Sequence, residues 1–523
     1  MAASSSADRA QGTTSTLEIE RKYDVGPDLG VPDLSGLPGV LRVSEAQEDL
    51  LEATYLDTQD LRLRAAGMTL RSRTGGSDAG WHLKLPAGAD REEVHAEPSD
   101  LDDGVPAALH ALVRARTRER DLVPVARLST RRTVRRLLGE GDQVLLEVAD
   151  DVVRGEPVGG GAELAWREWE AELVEGERSL LDAVGERLLA AGAEPSGSGS
   201  KVGRVLGRRP AQEGAPGWWA ARPVTSRKVS AGGVLQAHLQ DQVDELVRRD
   251  PHTRRDVPDA LHKMRVATRR LRSALSTFRV LLDRERTDPL REELRWLAGV
   301  LGGARDAEVM HERLRRLVAQ EEPDLVLGPV AERVDAALSE RHGDAHRVVR
   351  EELDAERYLR LLDALDALVA EPPLLPLARE RATEVLPRIV QRSWKRLDRT
   401  MRTAERAEPG AEQDELLHEA RKDAKRARYV AEAVVPVFGE PARTYAKAVA
   451  TLQEVLGEHQ DGVVTRDALL EIAQQAQEAG EPSFTYGRLH GTEQARAEAA
   501  AARWPEVRAE VSVRRLRRWF DGR

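Results

Sequence analysis

TLEIERKYDV, residues 16–25, alternates side chains in a way that decides the first half of the chain. In an extended strand residues two apart share a face, so Glu18, Glu20 and Lys22 point one way while Leu17, Ile19 and Tyr23 point the other. The same period recurs downstream. MTLRSRT (68–74) aligns Arg71 with Arg73, GWHLKLP (80–86) aligns His82 with Lys84, and REWEAELVEG (167–176) aligns Glu168, Glu170 and Glu172. VLLEVAD (144–150) adds Glu147, with Asp151 just beyond it. A lone E-x-E-x-K reads more readily as the wet face of an edge strand. Charged faces on four separate strands point instead to a shared interior, which is costly to desolvate unless metal ions and a polyanion complete it.

Working outward, short alternating segments separated by Gly, Pro and Asp predict antiparallel β-structure over about 17–208, with helices at about 105–116 and 179–191. Residues 1–16 are small and polar and read as a disordered N-terminus. The Pro, Gly and Ala-rich stretch 209–228 reads as a linker. From 229 to 523, Leu, Ala, Arg and Glu recur at helical spacing, so the remainder is predicted all-α. The chain of 523 residues is thus an α+β multidomain protein. Its net charge of -10 argues against a general nucleic-acid binder, and the absence of cysteine leaves only oxygen and histidine for a metal. No apolar run is long enough for a membrane span, so a cytoplasmic protein with no membrane partner is expected.

The helical half holds an internal repeat. HKMRVATRRLR places His262, Arg265, Arg269 and Arg272 at offsets 0, +3, +7 and +10, and HEARKDAKRAR places His418, Arg421, Lys425 and Arg428 at the same offsets. Each set falls within one narrow helical sector. Each copy is followed by an L-G-x-x-x-D segment, LGGARD (301–306) and LGEHQD (456–461), expected to be a turn. Two related bundles, about 229–370 and 371–523, are the simple reading. Matched cationic faces suit a polyanion, and no aromatic residues are interleaved to stack bases, so no specific nucleic acid is expected.

The first half resembles the CYTH domain, or triphosphate tunnel metalloenzyme family, through Glu18-x-Glu20-x-Lys22, YLDT (55–58), LRSR (70–73), HLKLP (82–86), STRRTVRR (129–136), EWEAEL (168–173) and SKVGRVL (200–206). The resemblance implies an eight-stranded antiparallel barrel in which Lys22, Arg71, Arg73, Lys84, Arg131, Arg135 and Lys201 hold a triphosphate. It also implies that Glu18, Glu20, Glu168, Glu170 and Glu172, with Glu147 and Asp151, ligate Mg²⁺ or Mn²⁺, with Glu18, Glu20 and Lys22 at the catalytic centre. Spacing alone does not separate Arg131, Arg132 and Arg135. The second half resembles the CHAD domain, a conserved-histidine α-helical domain, which implies polyphosphate binding by Arg265, Arg269, Arg272, Arg421, Lys425 and Arg428, with His262 and His418 beside them and Lys422, Lys263, Arg270, Arg426, Lys395 and Arg399 as secondary candidates.

The expected function is metal-dependent hydrolysis of inorganic triphosphate or short polyphosphate, joined to polyphosphate binding, with polyphosphate granules as a candidate location. The alternatives are a non-catalytic polyphosphate-binding protein and a nucleotide cyclase or organic triphosphatase.

Overall fold

The computed structural model describes residues 12–207, 229–408 and 410–521. Residues 1–11 and the predicted linker 209–228 lie outside the described residues. The chain forms two compact units, one mainly of strands and one of helices.

The strands of the first unit are β1 (Thr13–Asp24), β2 (Arg42–Val43), β3 (Gln47–Asp57), β4 (Thr69–Thr74), β5 (Gly80–Ala87), β6 (Asp90–Ala96), β7 (Val123–Leu138), β8 (Val144–Pro157), β9 (Leu164–Leu173) and β10 (Glu194–Pro195). Eight of them close an antiparallel barrel in the order β1-β6-β5-β4-β3-β7-β8-β9, with β9 returning to β1. Strand β1 begins at Thr13 and pairs with β6 from there, so residues 13–16 belong to the barrel and not to a frayed terminus. Register fixes the lumen. Lys22 lies opposite Glu170 and Glu20 opposite Glu172 on the closing pair. Arg132 lies opposite Asp151, Asp151 opposite Glu168, Lys84 opposite Glu93 and Arg71 opposite both Tyr55 and His82.

The apolar side chains of the same strands face out, and helices cover them. Leu70, Trp81, Leu83, Leu85 and Val94 pack under Leu109, Leu112 and Val113 of a helix at Ala107–Thr117. Tyr23, Leu137, Leu146, Val148 and Trp169 pack under Leu180, Leu181, Val184 and Leu188 of a helix at Arg178–Ala190. The hydrophobic core therefore sits outside the barrel wall, which leaves the lumen to polar chemistry. Burying each of these large side chains contributes roughly 1.5–3 kcal/mol, enough to hold charged residues inside at their desolvation cost.

In the second unit the helices that matter below are α1 (Ala231–Arg254), α2 (Ala260–Thr277), α3 (Arg284–Gln320), α4 (Ala382–Arg406), α5 (Ala411–Ala433) and α6 (Glu440–Glu478). Helix α2 buries Met264, Leu271 and Leu275, α5 buries Ala424, Ala427 and Ala431, and the two pack against each other. The L-G-x-x-x-D segments are not turns. Residues 301–306 lie inside α3 and 456–461 inside α6, because flanking Leu and Ala carry the helix through glycines that cost only about 1 kcal/mol each. Among the described residues no helix is long and apolar enough to cross a membrane.

Candidate functional site

The barrel lumen brings together Glu18, Glu20, Lys22, Arg71, Arg73, Lys84, Arg132, Glu170, Glu172 and Lys201 around one cavity. Each cation leans on an acid. Lys84 pairs with Glu18, and Lys22 contacts Glu20 at 2.8 Å and also Glu170. Arg132 donates to both oxygens of Asp151, at 2.8 and 2.6 Å, and reaches Glu170. Lys201 enters from a short helix, Lys201–Val205, capped by the Ser200 side chain. Its Nζ lies 2.9 Å from Asp151, 2.8 Å from Glu168 and 2.6 Å from Glu170. Burial opposes ionisation of Glu170, yet Lys201, Lys22 and Arg132 hold its carboxyl well below the usual range.

At the other side, Arg71 donates to the Tyr55 hydroxyl at 3.2 Å and lies 3.7 Å from Glu93. Burial, with Arg71 and Arg132 nearby, pulls the Arg73 guanidinium down to about 9. Burial also pulls His82 down to about 4. Among the described residues, the buried nitrogens Arg71 Nε and Arg73 Nε and the buried oxygen Glu18 Oε2 have no hydrogen-bond partner. Such groups cost about 1–3 kcal/mol each unless something completes them.

Two acidic groups are candidates for a divalent cation. Asp151, Glu168 and Glu170 can offer ligand atoms within 4.8 Å of one another, but the Lys201 ammonium already sits among all three. Glu172 differs. Burial, followed by the charge of Glu18, pushes it up to about 7, with Glu20 and Glu170 adding to the repulsion. Residual negative charge thus gathers at Glu18, Glu20 and Glu172, where Glu18 Oε2 is also unpartnered, and hard oxygen donors suit Mg²⁺ or Mn²⁺. Among the described residues only the first cluster brings three ligand atoms within that distance, while the second has no single ammonium bonded to all of its members.

Three sequence expectations need correction. Arg131 lies opposite Val152 on β8 and is exposed, and Arg135 lies opposite Val148, so both face out of the barrel. Period two places Arg132 inside instead. Glu147 pairs with Arg136 at 2.7 Å and is not among the lumen-lining residues. Glu93 was missed: it stands 3.2 Å from His82 and 3.8 Å from Lys84, and although burial opposes it, Lys84 and Arg71 hold its carboxyl well below the carboxylate range. The signal was present in DREEVHA, but Glu92 and Glu93 are adjacent and only the register chooses between them. Arg132→Leu is expected to destabilise the barrel by about 3–5 kcal/mol, since it strips a partner from the fully buried Asp151. Arg131→Leu should change the thermal midpoint little, and melting of the two variants side by side checks the assignment.

The helical unit holds a second cationic site. Arg265 and Arg269 of α2 and Arg421 and Lys425 of α5 come together, for burial and then Arg269, Arg421 and Arg265 push Lys425 down to about 7. Burial likewise lowers Arg269 and Arg272. Burial first, and then Arg305 for His262 and Lys422 for His418, lowers both histidines. The repeat is structural as well as sequential. Arg265 meets Asp306 at 3.0 Å and Arg421 meets Asp461 at 3.2 Å, while Arg265 Nε and Arg421 Nε are both buried without a partner. Two predicted contacts are compromised by acids: Arg428 bonds Glu432 at 2.7 Å and Lys422 bonds Glu419 at 2.7 Å.

The repeated glycine now has a reason. A Cβ on Gly457 would lie 3.1 Å from Arg421 Nη2 and 3.4 Å from its Cζ, whereas one on Gly302 would lie 3.6 Å from Arg265. Gly457→Ala is expected to gain up to about 1 kcal/mol of helix propensity yet weaken anion binding several-fold by displacing Arg421. Gly302→Ala should leave binding nearly unchanged. Paired melting and polyphosphate titrations read both effects.

Residues 16–204 match the CYTH domain family and residues 237–470 match the CHAD domain family. The chain belongs to the proteins that join a CYTH domain to a CHAD domain. It is 40% identical over 498 residues to the uncharacterized protein MT2285 of Mycobacterium tuberculosis strain CDC 1551, across 91% of this chain and 93% of that one. Rv2226 of strain H37Rv is 40% identical over the same shares. Among solved structures, PptA from Streptomyces chartreusis aligns with a TM-score of 0.45 at 23% identity, covering 54% of this chain and 99% of its own. The PH1819 protein from Pyrococcus horikoshii aligns at 0.23 and 15% identity, covering 36% and 96%.

Proposed function

We propose that the barrel hydrolyses a terminal phosphoanhydride bond of inorganic triphosphate or short polyphosphate with Mg²⁺ or Mn²⁺, and that the helical unit binds inorganic polyphosphate. The observation that carries the reading is a closed barrel whose lumen is charged with both signs while its apolar face is turned outward.

Glu18, Glu20 and Glu172 would hold the cation. When bound, it supplies Lewis-acid withdrawal and a more acidic water. Lys84, Arg71, Arg73, Arg132, Lys22 and Lys201 would hold phosphate oxygens, and Arg71 Nε and Arg73 Nε supply donors that no group among the described residues uses. Water oxygen bonds to the terminal phosphorus, the P–O–P bond breaks, and phosphate and the shortened chain leave with the two protons of the water distributed between products and solvent. No covalent link to the protein is needed. The enclosing wall keeps the fixed charges effective by limiting competing solvent.

The rival reading is a protein that only binds, and the ion pairs of Lys201 with Asp151, Glu168 and Glu170 favour it, since they neutralise part of the lumen without any metal. Phosphate release from triphosphate, from nucleoside triphosphates and from polyphosphate, measured with and without Mg²⁺ or Mn²⁺, separates the readings. Cation-dependent release from triphosphate supports hydrolysis. Binding without release supports the rival, and a cyclic nucleotide product would overturn both.

A further inference from the structure

Among the lumen cations of the described residues, Arg73 alone takes its acid from a loop. Every described carboxylate that meets Lys22, Lys84, Arg71, Arg132 or Lys201 stands on β1, β6, β8 or β9, with a side chain no more than 19% exposed. Arg73, itself 5% exposed, pairs instead with Asp78, whose side chain is 60% exposed. Asp78 belongs to the loop GGSDA (75–79) between β4 and β5 and is part of the cavity lining. The backbone of that loop is held in place. Arg73 Nη2 donates to the Asp78 carbonyl at 3.0 Å, and His82 Nε2 lies 3.0 Å from the same oxygen. Gly75, and Gly80 just beyond the loop, hold φ of +82° and +143°, and a Cβ on them would lie 1.9 Å from the Leu50 carbonyl oxygen and 2.5 Å from that of Ala96. What remains free to turn is the carboxylate itself.

Position gives this carboxylate a use. Register orders the cations along the wall, for Thr69 lies opposite Lys84, Arg71 opposite His82 and Arg73 opposite Gly80. Glu18 bonds Lys84, so the row starts beside the carboxylates that would hold the cation and ends at Arg73. With hydrolysis at the cation, Arg73 meets the far end of the bound chain. Asp78 already stands there as a competitor of single charge. A free terminal phosphoryl group carries roughly 1.5–2 negative charges near neutral pH and outbids it for the guanidinium. A phosphoryl group closed by an ester carries a single charge and meets the carboxylate on equal terms.

We propose that Asp78 is a specificity-determining residue: its carboxylate occupies Arg73 until a free phosphoryl end displaces it, which favours inorganic triphosphate over nucleoside and other esterified triphosphates. The inference rests on the reading of the lumen as the site of triphosphate hydrolysis, with the attacked end at Glu18, Glu20 and Glu172. Asp78 touches neither the bond that breaks nor the attacking water, so its effect falls on KM and not on kcat. A carboxylate that only steadied the loop would leave the choice of substrate untouched.

The test measures phosphate release by the full chain from inorganic triphosphate and from ATP, with Mg²⁺ or Mn²⁺, for wild type, Asp78→Asn, Asp78→Glu and Arg73→Gln. Asp78→Asn keeps the carbonyl contacts and removes the charge. The ratio of kcat/KM for triphosphate to that for ATP is expected to fall roughly tenfold, through a lower KM for ATP, because the esterified end gains a charged hydrogen bond. The charge-preserving Asp78→Glu should keep most of the wild-type ratio. An unchanged ratio in Asp78→Asn, an equal gain for both substrates or a loss for both would overturn the assignment. An Arg73→Gln variant with wild-type KM for triphosphate would instead overturn Arg73 as a phosphate contact. If wild type releases no phosphate from triphosphate, the hydrolysis reading fails by itself, and the same ratio is read from calorimetric titration with the two ligands. The difference between wild type and Asp78→Asn then isolates the barrel, since both carry the same helical unit. Melting curves check the fold, and an Asp78→Asn variant that unfolds is replaced by Asp78→Ser under the same criteria.

Discussion

Glu18→Gln/Glu20→Gln is expected to reduce metal-dependent phosphate release from triphosphate by at least about a thousandfold, or ~4 kcal/mol of transition-state stabilisation. The substitution preserves shape and removes two negative charges from the place where Glu172 already shows an excess of them. Three consequences distinguish loss of a cation site from loss of the fold. The apparent affinity for Mg²⁺ or Mn²⁺ falls with the rate. Glu172 becomes easier to ionise, because one cause of its shift is the Glu18 carboxylate. The variant still melts in one transition above the assay temperature, though at a lower midpoint, since Lys84 and Lys22 lose the carboxylates they pair with. Glu147→Gln is the matching control: that carboxylate pairs with Arg136 outside the lining, and its loss should alter the rate by no more than a few-fold. A double variant with unchanged, cation-dependent turnover would remove Glu18 and Glu20 from the chemistry.

The second large effect lies in the helical unit and runs in opposite directions for binding and stability. Lys425→Met is expected to weaken polyphosphate binding at least about tenfold, because one charged hydrogen bond contributes roughly 1.5–3 kcal/mol. The same change should raise the melting temperature, for it removes an ammonium that burial and three neighbouring guanidinium groups disfavour. Because Lys425 is held down at about 7 when free, the unfolded chain, in which lysine titrates near ~10.4, binds more protons between those limits. Stability contributed at this position therefore rises with pH across that window and is lost as pH falls through about 7. Binding has the opposite sign. The groups facing Lys425 are Arg265 and Arg269 of α2, Arg421 of its own helix and Asp461 of α6, and a polyanion laid among them makes the protonated form favourable again. Affinity should thus fall above about pH 7, by up to about tenfold per unit, with proton uptake measurable by calorimetry in buffers of different ionisation heat. Lys425→Met should flatten that dependence, and a wild-type affinity indifferent to pH would contradict the geometry.

How much of this was legible in the residues depended on whether one periodicity sufficed. Glu18, Glu20 and Lys22 could be placed on one face from three letters, and Glu168, Glu170 and Glu172 likewise. Arg131 and Arg132 could not, since a run of basic residues reads the same in either phase, and only the pairing of Arg132 with Asp151 resolves it. Glu147 shares its strand face with Asp151 and yet meets Arg136 away from the cavity, because position along a strand is set by barrel register and not by alternation. In the helices the offsets of the two basic motifs were readable, but the L-G-x-x-x-D segments looked like turns. Gly457 leaves space for Arg421 of the neighbouring helix, a tertiary reason that has no local signature.

The duplicated contacts, Arg265 with Asp306 and Arg421 with Asp461, bear on the direction in which a polymer can lie. An unbranched inorganic phosphate chain reads the same from both ends, whereas a nucleic-acid strand does not. Such a ligand binds identically either way round, worth about 0.4 kcal/mol over a directional strand, and the two near-equivalent halves present it with matched contacts along its length. The chain can then engage without first being turned around. The exchanges of Gly303, Ala304 and Arg305 for Glu458, His459 and Gln460 between the two L-G-x-x-x-D segments mark one end of the pair from the other.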